Sequence, residues 1–247
     1  MRNLHIIMPM AGEGSRFKQV GIDIPKPLIK ANGVPFFVRA LSGVKDQFNL
    51  DDIKITCVIQ KKHAVKYNLD GEIWKNFHAN IAVINEPTHG AVETCLAAHP
   101  FIADSDAILI IDCDLEWHCH NYMSMIAKLL QEDTSQIGGM LLSFESSDPR
   151  YSYAVVENDI VTRTAEKEPI SNNALVGAYY FNTADDFFDS AFNLFKNNEL
   201  SDIKEYYVSL LYNYLIKSGK IVKLHKVDSL YSFGTPEELM RYEQLNV

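Results

Sequence analysis

The chain opens with an apolar run that leads directly into a glycine-rich turn. Residues 4–10 read LHIIMPM, and residues 11–17 read AGEGSRF. Apolar residues at successive positions are typical of a strand that is covered on both faces, as in a parallel sheet. The turn is therefore expected at the carboxyl edge of such a sheet, which is where open α/β folds hold their ligands.

This turn contains residues suited to binding an anion. Gly12 and Gly14 remove two side chains, so backbone N–H groups can approach a phosphate closely. Arg16 adds a guanidinium fork that fits phosphate oxygens. Lys26 is a second cation, and the prolines on either side of it restrict its backbone. The spacing predicts recognition of a polyphosphate.

Two familiar glycine loops match this stretch poorly. A dinucleotide fingerprint requires a third glycine at position 17, where this chain has Phe17. A P-loop requires Gly-Lys-Ser or Gly-Lys-Thr, and the turn contains neither. The motif therefore belongs to another class of phosphate-binding loop.

Charge is distributed unevenly along the chain. The formal net charge of −9 argues against a nucleic-acid binder, which would carry a basic excess. Residues 1–45 nevertheless hold seven Lys or Arg and only two acids, so positive charge is concentrated around the proposed phosphate loop. There is no basic leader and no run of eighteen apolar residues, so we expect a cytoplasmic protein without membrane insertion.

The rest of the chain alternates between strand and helix patterns. Further strands are predicted at 53–59, 81–84, 107–111, 137–144, 153–156, 160–163, 175–181 and 221–226. Helices are predicted at 34–48, 62–69, 90–98, 122–130, 185–195 and 203–217, with a last one starting near Thr235. This order predicts an α/β fold: a Rossmann-like, mostly parallel sheet with helices on both faces and a small β-rich region. We expect a single domain over 1–247.

A second motif, IIDCDLEW at residues 110–117, ends an apolar strand in two carboxylates. Hard oxygen ligands at this sheet edge suit Mg²⁺, which reaches proteins through one or two carboxylates and substrate phosphates. We expect Asp114 to be the principal ligand and Asp112 the second. A simple turn cap is the alternative for a strand-end aspartate. The neighbouring Cys and His residues at 113 and 118–120 lie too close together for structural zinc.

The first motif, MPMAGEGSRF with PKPLI, resembles the signature of the sugar-nucleotide pyrophosphorylases. These nucleotidyltransferases join an NTP to a sugar 1-phosphate and release pyrophosphate. The resemblance implies a GT-A-like fold with a nucleotide-binding half at 1–135 and an acceptor-binding half at 136–247. It also implies Mg²⁺ as cofactor and catalytic roles for Arg16 and Lys26 on the nucleotide phosphates. The nucleotide-binding residues that it implies in the loop are Met10, Ala11, Gly12, Glu13 and Gly14.

The stretch NEPTHGAVET at residues 85–94 is similar to the base-reading segment of that family. The similarity implies that Asn85 or Glu86 reads the base and that Gly90 lets it approach. A carboxylate accepts hydrogen bonds but donates none, so Glu86 would suit the exocyclic amine of cytosine. We therefore favour CTP. A solvated loop acid is the alternative for Glu86.

Two further stretches bear on the acceptor. AEKEP at residues 165–169 resembles the family's Glu-Lys-Pro and implies that Glu166 and Lys167 bind the acceptor, with the lysine on its phosphate. An exposed hairpin lysine is the alternative. YSFGTPEEL at residues 231–239 resembles the closing stretch, but Ser232 stands where many members have a second metal-binding aspartate. Asp112, Asp228 or the substrate phosphates would then replace that ligand.

The short chain is also similar to compact transferases of bacterial capsule biosynthesis. That similarity implies an acceptor that need not be a sugar, with phosphoglutamine as one example and CDP-glutamine as its product. A sugar 1-phosphate acceptor stays open, as does a homo-oligomeric state. Two other classes also stay open: a metal-dependent glycosyltransferase, which has no need of Arg16 and Lys26, and a catalytically silent regulatory subunit, which Ser232 favours.

Overall fold

The computed structural model describes residues 2–132, 136–196 and 205–245. Its strands are β1 Leu4–Met10, β2 Lys30–Ala31, β3 Val34–Pro35, β4 Lys54–Gln60, β5 Asn80–Ile84, β6 Ala107–Ile111, β7 Leu115–His118, β8 Ile137–Glu145, β9 Ser152–Glu157, β10 Ile160–Glu166, β11 Asn173–Phe181, β12 Ile221–Lys226 and β13 Ser229–Ser232. Its α-helices are α1 Ser15–Lys18, α2 Phe36–Arg39, α3 Ser42–Lys45, α4 Lys61–Tyr67, α5 Leu69–Asn76, α6 Ala91–Leu96, α7 His120–Leu129, α8 Ala184–Lys196, α9 Leu211–Lys217 and α10 Pro236–Leu245.

One large sheet organises the molecule. Its strand order is β10-β9-β11-β6-β1-β4-β5, and β8 adds to β11 and carries β12 on its other side. The β6-β1-β4-β5 segment is parallel, whereas β11 runs antiparallel to β6 and β8. β9 and β10 form an antiparallel hairpin. The predicted α/β architecture is confirmed, with a parallel half formed by β6, β1, β4 and β5 and a mixed half beyond it.

Helices cover both faces of this sheet because its central strands bury side chains on both sides. Along β6, all five side chains are buried: Leu109 and Ile111 face a core that also holds Tyr122 of α7. Ile108 and Ile110 face a second core, which is formed with α6, α8 and α9. Such double burial is the reason that these strands read as continuous apolar runs.

The helix predicted over 34–48 is wrong. Val34 and Pro35 pair instead with Lys30 and Ala31 in a two-residue ladder. Two separate single-turn helices, α2 and α3, follow. Gly43 lies in α3 and packs closely against Trp117: a Cβ at this position would be only 2.6 Å from the Trp117 ring. The apolar positions of this stretch are buried, as their spacing predicts. The β2–β3 ladder, which includes Pro35, and the close contact of Gly43 with Trp117 are accompanied by two short helices in place of one long helix.

Several other elements differ from the prediction. A helix, α5, was missed because Asn68 adopts a left-handed conformation (φ 52°) that ends α4 and starts the next helix. The short strands β7 and β13 were also missed, and they pair antiparallel with each other. The helix predicted over 203–217 begins only at Leu211, after a 3-10 turn at Val208–Leu210. Positions 203 and 204 lie outside the described residues.

A third apolar cluster joins the two ends of the chain. The ring centre of Phe17, from the glycine-rich segment, lies 5.9 Å from that of Phe36. The Phe36 ring stacks on Phe233 with their centres 4.7 Å apart. Leu239 and Tyr242 of α10 complete the cluster. The first motif and the closing motif are therefore held side by side. In the part of the chain that the structure describes, no helix has the length and apolar character needed to cross a membrane.

Candidate active site

A cleft of about 290 Å³ lies at the carboxyl edge of the sheet. It is bounded by residues from the first motif, from the end of β6, from the β9–β11 region and from the closing motif. Side chains predicted to bind phosphate, metal and acceptor thus share one space. The predicted site residues that line it are Arg16, Asp112, Asp114, Glu166, Lys167 and Ser232.

The glycine-rich loop connects β1 to the short helix α1. Gly14 has φ 64°, and a Cβ on it would lie 3.5 Å from the Cβ of Lys26, so the loop packs closely against that lysine. A Cβ at Gly12 would meet no atom within 4 Å, which leaves space above its backbone. Arg16 Nη1 donates to the Gly234 carbonyl at 3.4 Å. The loop is ordered but open to a ligand.

Glu13 lies in the same loop as the centre of an ion cluster. Its carboxylate accepts from Lys62 at 2.5 Å, from Lys18 at 3.0 Å and from Gln60 at 3.1 Å. These hydrogen bonds lower the pKa of Glu13 to about 2. Gln60 also donates to the Ala11 carbonyl, which ties the loop to the end of β4. Glu13 therefore holds the loop in place.

Lys26 forms an ion pair and hydrogen bond with Asp114. The side chains of this lysine and aspartate are 20% and 25% exposed. Burial lowers the pKa of Lys26, but the negative charge and hydrogen bond of Asp114 raise it to a net value above the usual range. The predicted phosphate cation and the predicted metal ligand are thus in direct contact. This contact joins the first motif to the second.

Asp112 follows the last residue of β6 and is the more confined of the two carboxylates. Burial, together with the neighbouring charge of Asp114, raises the pKa of Asp112 to about 7. Its backbone N–H donates to the Gly177 carbonyl at 2.8 Å. A Cβ at Gly177 would lie 2.2 Å from Asp112 Oδ2, so only glycine leaves room for this carboxylate.

The carboxylates of Asp112 and Asp114 suit a hard divalent cation such as Mg²⁺. Among the described residues, no group of three or more His, Cys, Asp or Glu is arranged to hold a metal ion. Two carboxylates with no sulfur or imidazole partner suit Mg²⁺, which takes its remaining ligands from water and substrate phosphates.

The predicted base-reading loop follows β5. Asn85 and Glu86 are both exposed in a bend there. Gly90 has φ 132°, and a Cβ on it would lie 2.5 Å from the backbone nitrogen of Tyr206. Two backbone hydrogen bonds fix this contact, from Tyr206 N to the His89 carbonyl and from Val92 N to the Tyr206 carbonyl. The glycine therefore has a packing role that the sequence did not indicate.

Glu166 and Lys167 lie at the far side of the cleft. The Glu166 carboxylate accepts from Ser152 and, at 3.0 Å, from Ser209, while burial raises its pKa. Lys167 has φ 56°, and its ammonium donates to the Tyr207 hydroxyl at 2.5 Å. The pair is therefore held by the hairpin and by the segment that leads into α9.

Ser232 is engaged in the N-terminal cap of α10. Its hydroxyl donates to Glu238 at 3.0 Å, and Thr235 and Glu238 cap the helix reciprocally. Phe233 N donates to the Asp114 carbonyl at 2.7 Å, which places Ser232 beside the carboxylate pair. Asp228 instead accepts from His120 N at the start of α7. Asp228 is thus committed to a cap and does not line the cleft.

Sequence reasoning missed several residues of the cleft. Arg150, Tyr151 and Tyr207 line the cleft together with Lys167, Gly177 packs against Asp112, and Glu238 lies between Ser232 and Arg150. They come from segments far apart in the chain, so no local spacing linked them. The one available signal was the capping pattern TPEE at residues 235–238, which marks Glu238 as the N3 residue of a helix.

The fold and the cleft define a class of protein: an α/β enzyme scaffold with a cationic glycine loop facing a pair of strand-end carboxylates. The family model described as "Nucleotidyl transferase" matches residues 4–216. The chain therefore belongs to the nucleotidyl transferase family. A search of curated protein sequences returned no match.

Solved structures show the same fold. A nucleoside-diphosphate-sugar pyrophosphorylase from Vibrio cholerae RC9 has a TM-score of 0.82 at 22% identity, over 97% of this chain and 99% of that one. An inositol-1-phosphate CTP transferase from T. maritima has a TM-score of 0.74 at 13% identity, over 100% and 96%. A UDP-glucose pyrophosphorylase complexed with UDP-glucose gives 0.72 at 17%, over 100% and 98%. These likenesses establish the architecture.

Proposed function

We propose that the protein transfers a nucleoside monophosphate, CMP, from CTP to a small phosphorylated acceptor and releases pyrophosphate. The observation that carries the proposal is the shared cleft, which brings the phosphate-loop cation Arg16, the carboxylates Asp112 and Asp114 and the acceptor lysine Lys167 to one space. Family membership supplies the reaction type. The specific substrates are our inference.

In this reaction an oxygen of the acceptor phosphate attacks the α-phosphorus of the NTP, the bond to the β-phosphate oxygen breaks, and pyrophosphate leaves with that electron pair. No covalent enzyme intermediate is needed, so catalysis depends on positioning and charge neutralisation. Arg16 and Lys26 stabilise the negative charge that develops on the nucleotide phosphates. Lys167 holds the acceptor phosphate and offsets its repulsion from the nucleotide.

Asp112 and Asp114 would hold a Mg²⁺ ion, which when bound neutralises phosphate charge. The Lys26–Asp114 ion pair prepares this arrangement, because it keeps the ammonium and the carboxylate together beside the glycine loop before substrate arrives. Glu13 does not compete with Asp114 for Lys26, since Lys18, Lys62 and Gln60 satisfy the Glu13 carboxylate. The loop can therefore receive phosphate without a rearrangement of Glu13.

The preference for CTP rests on Glu86. Its carboxylate is exposed at the bend after β5 and is able to accept from the exocyclic amine of cytosine. We expect pyrophosphate release in the presence of Mg²⁺ to be fastest with CTP when CTP, UTP, dTTP, ATP and GTP are compared. Glu86→Gln should reduce the preference for CTP over UTP, because an amide also donates. A parent enzyme that prefers UTP or dTTP would remove Glu86 as the base reader.

The acceptor is proposed to be a non-sugar phosphate used in capsule or surface polysaccharide synthesis, with phosphoglutamine as the first compound to test and CDP-glutamine as its product. The reaction would take place in the cytoplasm. A sugar 1-phosphate acceptor has equal support, because the similar structures include a nucleoside-diphosphate-sugar pyrophosphorylase and a UDP-glucose pyrophosphorylase. Assaying both acceptor classes with the preferred NTP separates the two.

A catalytically silent nucleotide-binding subunit is the second candidate, and Ser232 is the observation that favours it. The hydroxyl replaces a carboxylate at the edge of the metal site and is already bonded to Glu238. Nucleotide binding by calorimetry without pyrophosphate release, over both acceptor classes, would support this function over catalysis. Release of pyrophosphate would exclude it, and would also exclude a glycosyltransferase.

A further inference from the structure

Arg150 is a cation of the cleft that neither the sequence motifs nor the proposed reaction uses. It precedes β9 and lines the cleft together with Tyr151, while the nucleotide-side cation Arg16 comes from α1. It also lines an adjoining groove of about 420 Å³, whose walls include β13 and α10. Arg150 therefore stands where the cleft continues beyond the acceptor side.

The guanidinium of Arg150 is held in place by its neighbours. Its Nε lies 3.0 Å from Asp148 Oδ2, and its Nη2 lies 2.7 Å from Glu238 Oε1. Nη2 also donates to the Tyr151 hydroxyl at 2.6 Å, and the guanidinium carbon is 4.7 Å from the centre of that ring. A cation fixed in this way loses little conformational entropy when it binds a ligand.

One nitrogen of this guanidinium stays available. Among residues 2–132, 136–196 and 205–245, the contacts of Arg150 use Nε and Nη2 and leave Nη1 without a protein partner. The side chain is 40% exposed. Its holder Glu238 is only 15% exposed and is satisfied by Ser232 and Thr235, so it does not swing away.

Arg150 also lies on a segment next to Lys167, the lysine proposed to bind the acceptor phosphate. The backbone N–H of Lys167 donates to the carbonyl of Tyr151 at 3.0 Å, which places the two cations on neighbouring segments of one wall. Lys167 already serves the acceptor phosphate in the proposed reaction, and Arg16 and Lys26 serve the nucleotide. Arg150, which is paired with Asp148 and Glu238, adds an N–H donor to this wall at a position where a second anionic group of the acceptor could bind.

We propose that Arg150 is a specificity residue that binds a carboxylate of the acceptor, so that the acceptor is a phosphorylated acid and not a neutral sugar phosphate. The inference rests on the proposed function and names the substrate class of the same cleft. The remaining nitrogen, Nη1, can donate a charge-assisted hydrogen bond to one carboxylate oxygen. A neutral hydroxyl would gain much less from a fixed charge.

The alternative is that Arg150 only fastens α10 to the loop before β9 through Glu238. The two roles differ in what a substitution changes. A fastening residue affects all acceptors equally and lowers stability. A carboxylate-binding residue affects only acceptors that carry the acid.

The test is acceptor binding by calorimetry to the full chain, with three matched pairs of probes that differ in one carboxylate. The pairs are O-phosphoserine and phosphoethanolamine, 3-phosphoglycerate and glycerol 3-phosphate, and glucuronate 1-phosphate and glucose 1-phosphate. We expect the acid to bind at least about tenfold tighter in one pair or more, consistent with one charge-assisted contact. Arg150→Gln should abolish that difference, and Arg150→Lys should restore part of it.

Arg163→Gln is the matched control, because Arg163 is 61% exposed on the same hairpin and pairs only weakly with Glu168 at 3.7 Å. The control should keep the acid preference. Equal binding within every pair, or no binding by any probe, overturns the proposal. So does a loss in Arg150→Gln that is the same for both members of a pair. Because binding is measured without turnover, the two proposals can fail separately. Pyrophosphate release with glucose 1-phosphate alone would overturn this inference and leave nucleotidyl transfer standing. Acid-selective binding without turnover would support this inference and count against nucleotidyl transfer.

Discussion

The two ends of the cleft are built in different ways. At the proposed nucleotide end, one stretch from Met10 to Leu28 supplies Arg16, which lines the cleft, and Lys26, which lines an adjoining pocket and contacts Asp114; the end of β6 adds the carboxylates. At the acceptor end, Arg150, Glu166 and Glu238 come from three separate segments. The difference teaches that the residues proposed to bind phosphate are encoded locally, whereas those proposed to bind the acceptor are assembled by the whole topology. Substitutions at the two ends should therefore separate turnover from acceptor affinity.

The largest effect is expected from Asp114→Asn at the nucleotide end. The change removes a metal ligand and the charge partner of Lys26. We expect kcat to fall by about 10³-fold, roughly 4 kcal/mol, which is the scale of losing one strong electrostatic contact in the transition state. Steady-state pyrophosphate release at saturating Mg²⁺ measures it. Asp46→Asn, an exposed carboxylate paired with His118, is the control; equal rates for Asp114→Asn and the parent would remove the assignment.

Arg16→Met should have the next largest effect. Arg16 makes one long contact with the Gly234 carbonyl, so its removal costs little stability but takes a cation from the phosphates. We expect a loss of about 10²-fold in kcat, or about 3 kcal/mol. Lys18→Met on the same short helix should change kcat little, since Lys18 contacts Glu13. The comparison fails if both variants lose activity to the same extent.

Asp112→Asn should stabilise the protein at neutral and alkaline pH when a chelator is present. The pKa of Asp112 is about 7 in the fold and near 3.8 when unfolded, so the folded state binds more protons between those values. Stability therefore falls as the pH rises through that window, by on the order of 2–4 kcal/mol. Asn removes this dependence. Chemical denaturation at pH 4 and pH 8 tests it: the variant should gain at pH 8 only, and a gain at both values would contradict the raised pKa.

Alanine substitutions at Gly177 and Gly12 should separate a loss of packing from a loss of ligand binding. Gly177→Ala should destabilise the fold by about 1–3 kcal/mol, because the added Cβ would lie 2.2 Å from Asp112 Oδ2. Gly12→Ala has no atom within 4 Å of its Cβ and should fold like the parent. Its cost should appear instead as weaker CTP binding, by about tenfold. Melting temperatures and CTP titrations measure both; a stable Gly177→Ala protein would contradict the packing account.

The smallest effect is expected from Lys167→Gln at the acceptor end. Lys167 is 54% exposed and its ammonium is shared with Tyr207 and Glu205, so its contribution to phosphate binding is moderated by solvent. We expect the acceptor KM to rise about tenfold while the Kd for CTP is unchanged. Arg163→Gln on the same hairpin serves as the control. A change in CTP affinity of similar size would place Lys167 at the nucleotide end.

The same contrast explains what the sequence could predict. β1, β6 and β12 are correct to the residue. In β1 and β6 the reason is that a largely apolar run bounded by polar residues marks a buried strand. The glycine loop, Lys26 and the Asp112–Asp114 pair were readable because the residues of each motif are adjacent. Asp114 meeting Lys26, 88 positions earlier, was not readable from spacing.

Predictions failed where tertiary contacts override local pattern. The helix over 34–48 breaks because Val34 pairs across a tight turn and Gly43 packs on Trp117. The strand β13 was missed because its residues are only partly buried and its partner β7 follows a turn. The pairing of Arg150 with Glu238 gave no signal, since a charged pair 88 residues apart has no local signature. A site assembled in this way from distant segments becomes visible only in three dimensions.

The most direct measurement follows labelled phosphorus in a reaction of the purified protein with Mg²⁺, CTP and each acceptor. CTP carrying the label on its α-phosphorus should transfer it to the acceptor, and CTP labelled on its γ-phosphorus should yield labelled pyrophosphate in equal amount. Asp114→Asn should suppress both signals together. Label that stays in CTP with every acceptor, or that appears as free phosphate without a labelled acceptor, would contradict nucleotidyl transfer by this cleft.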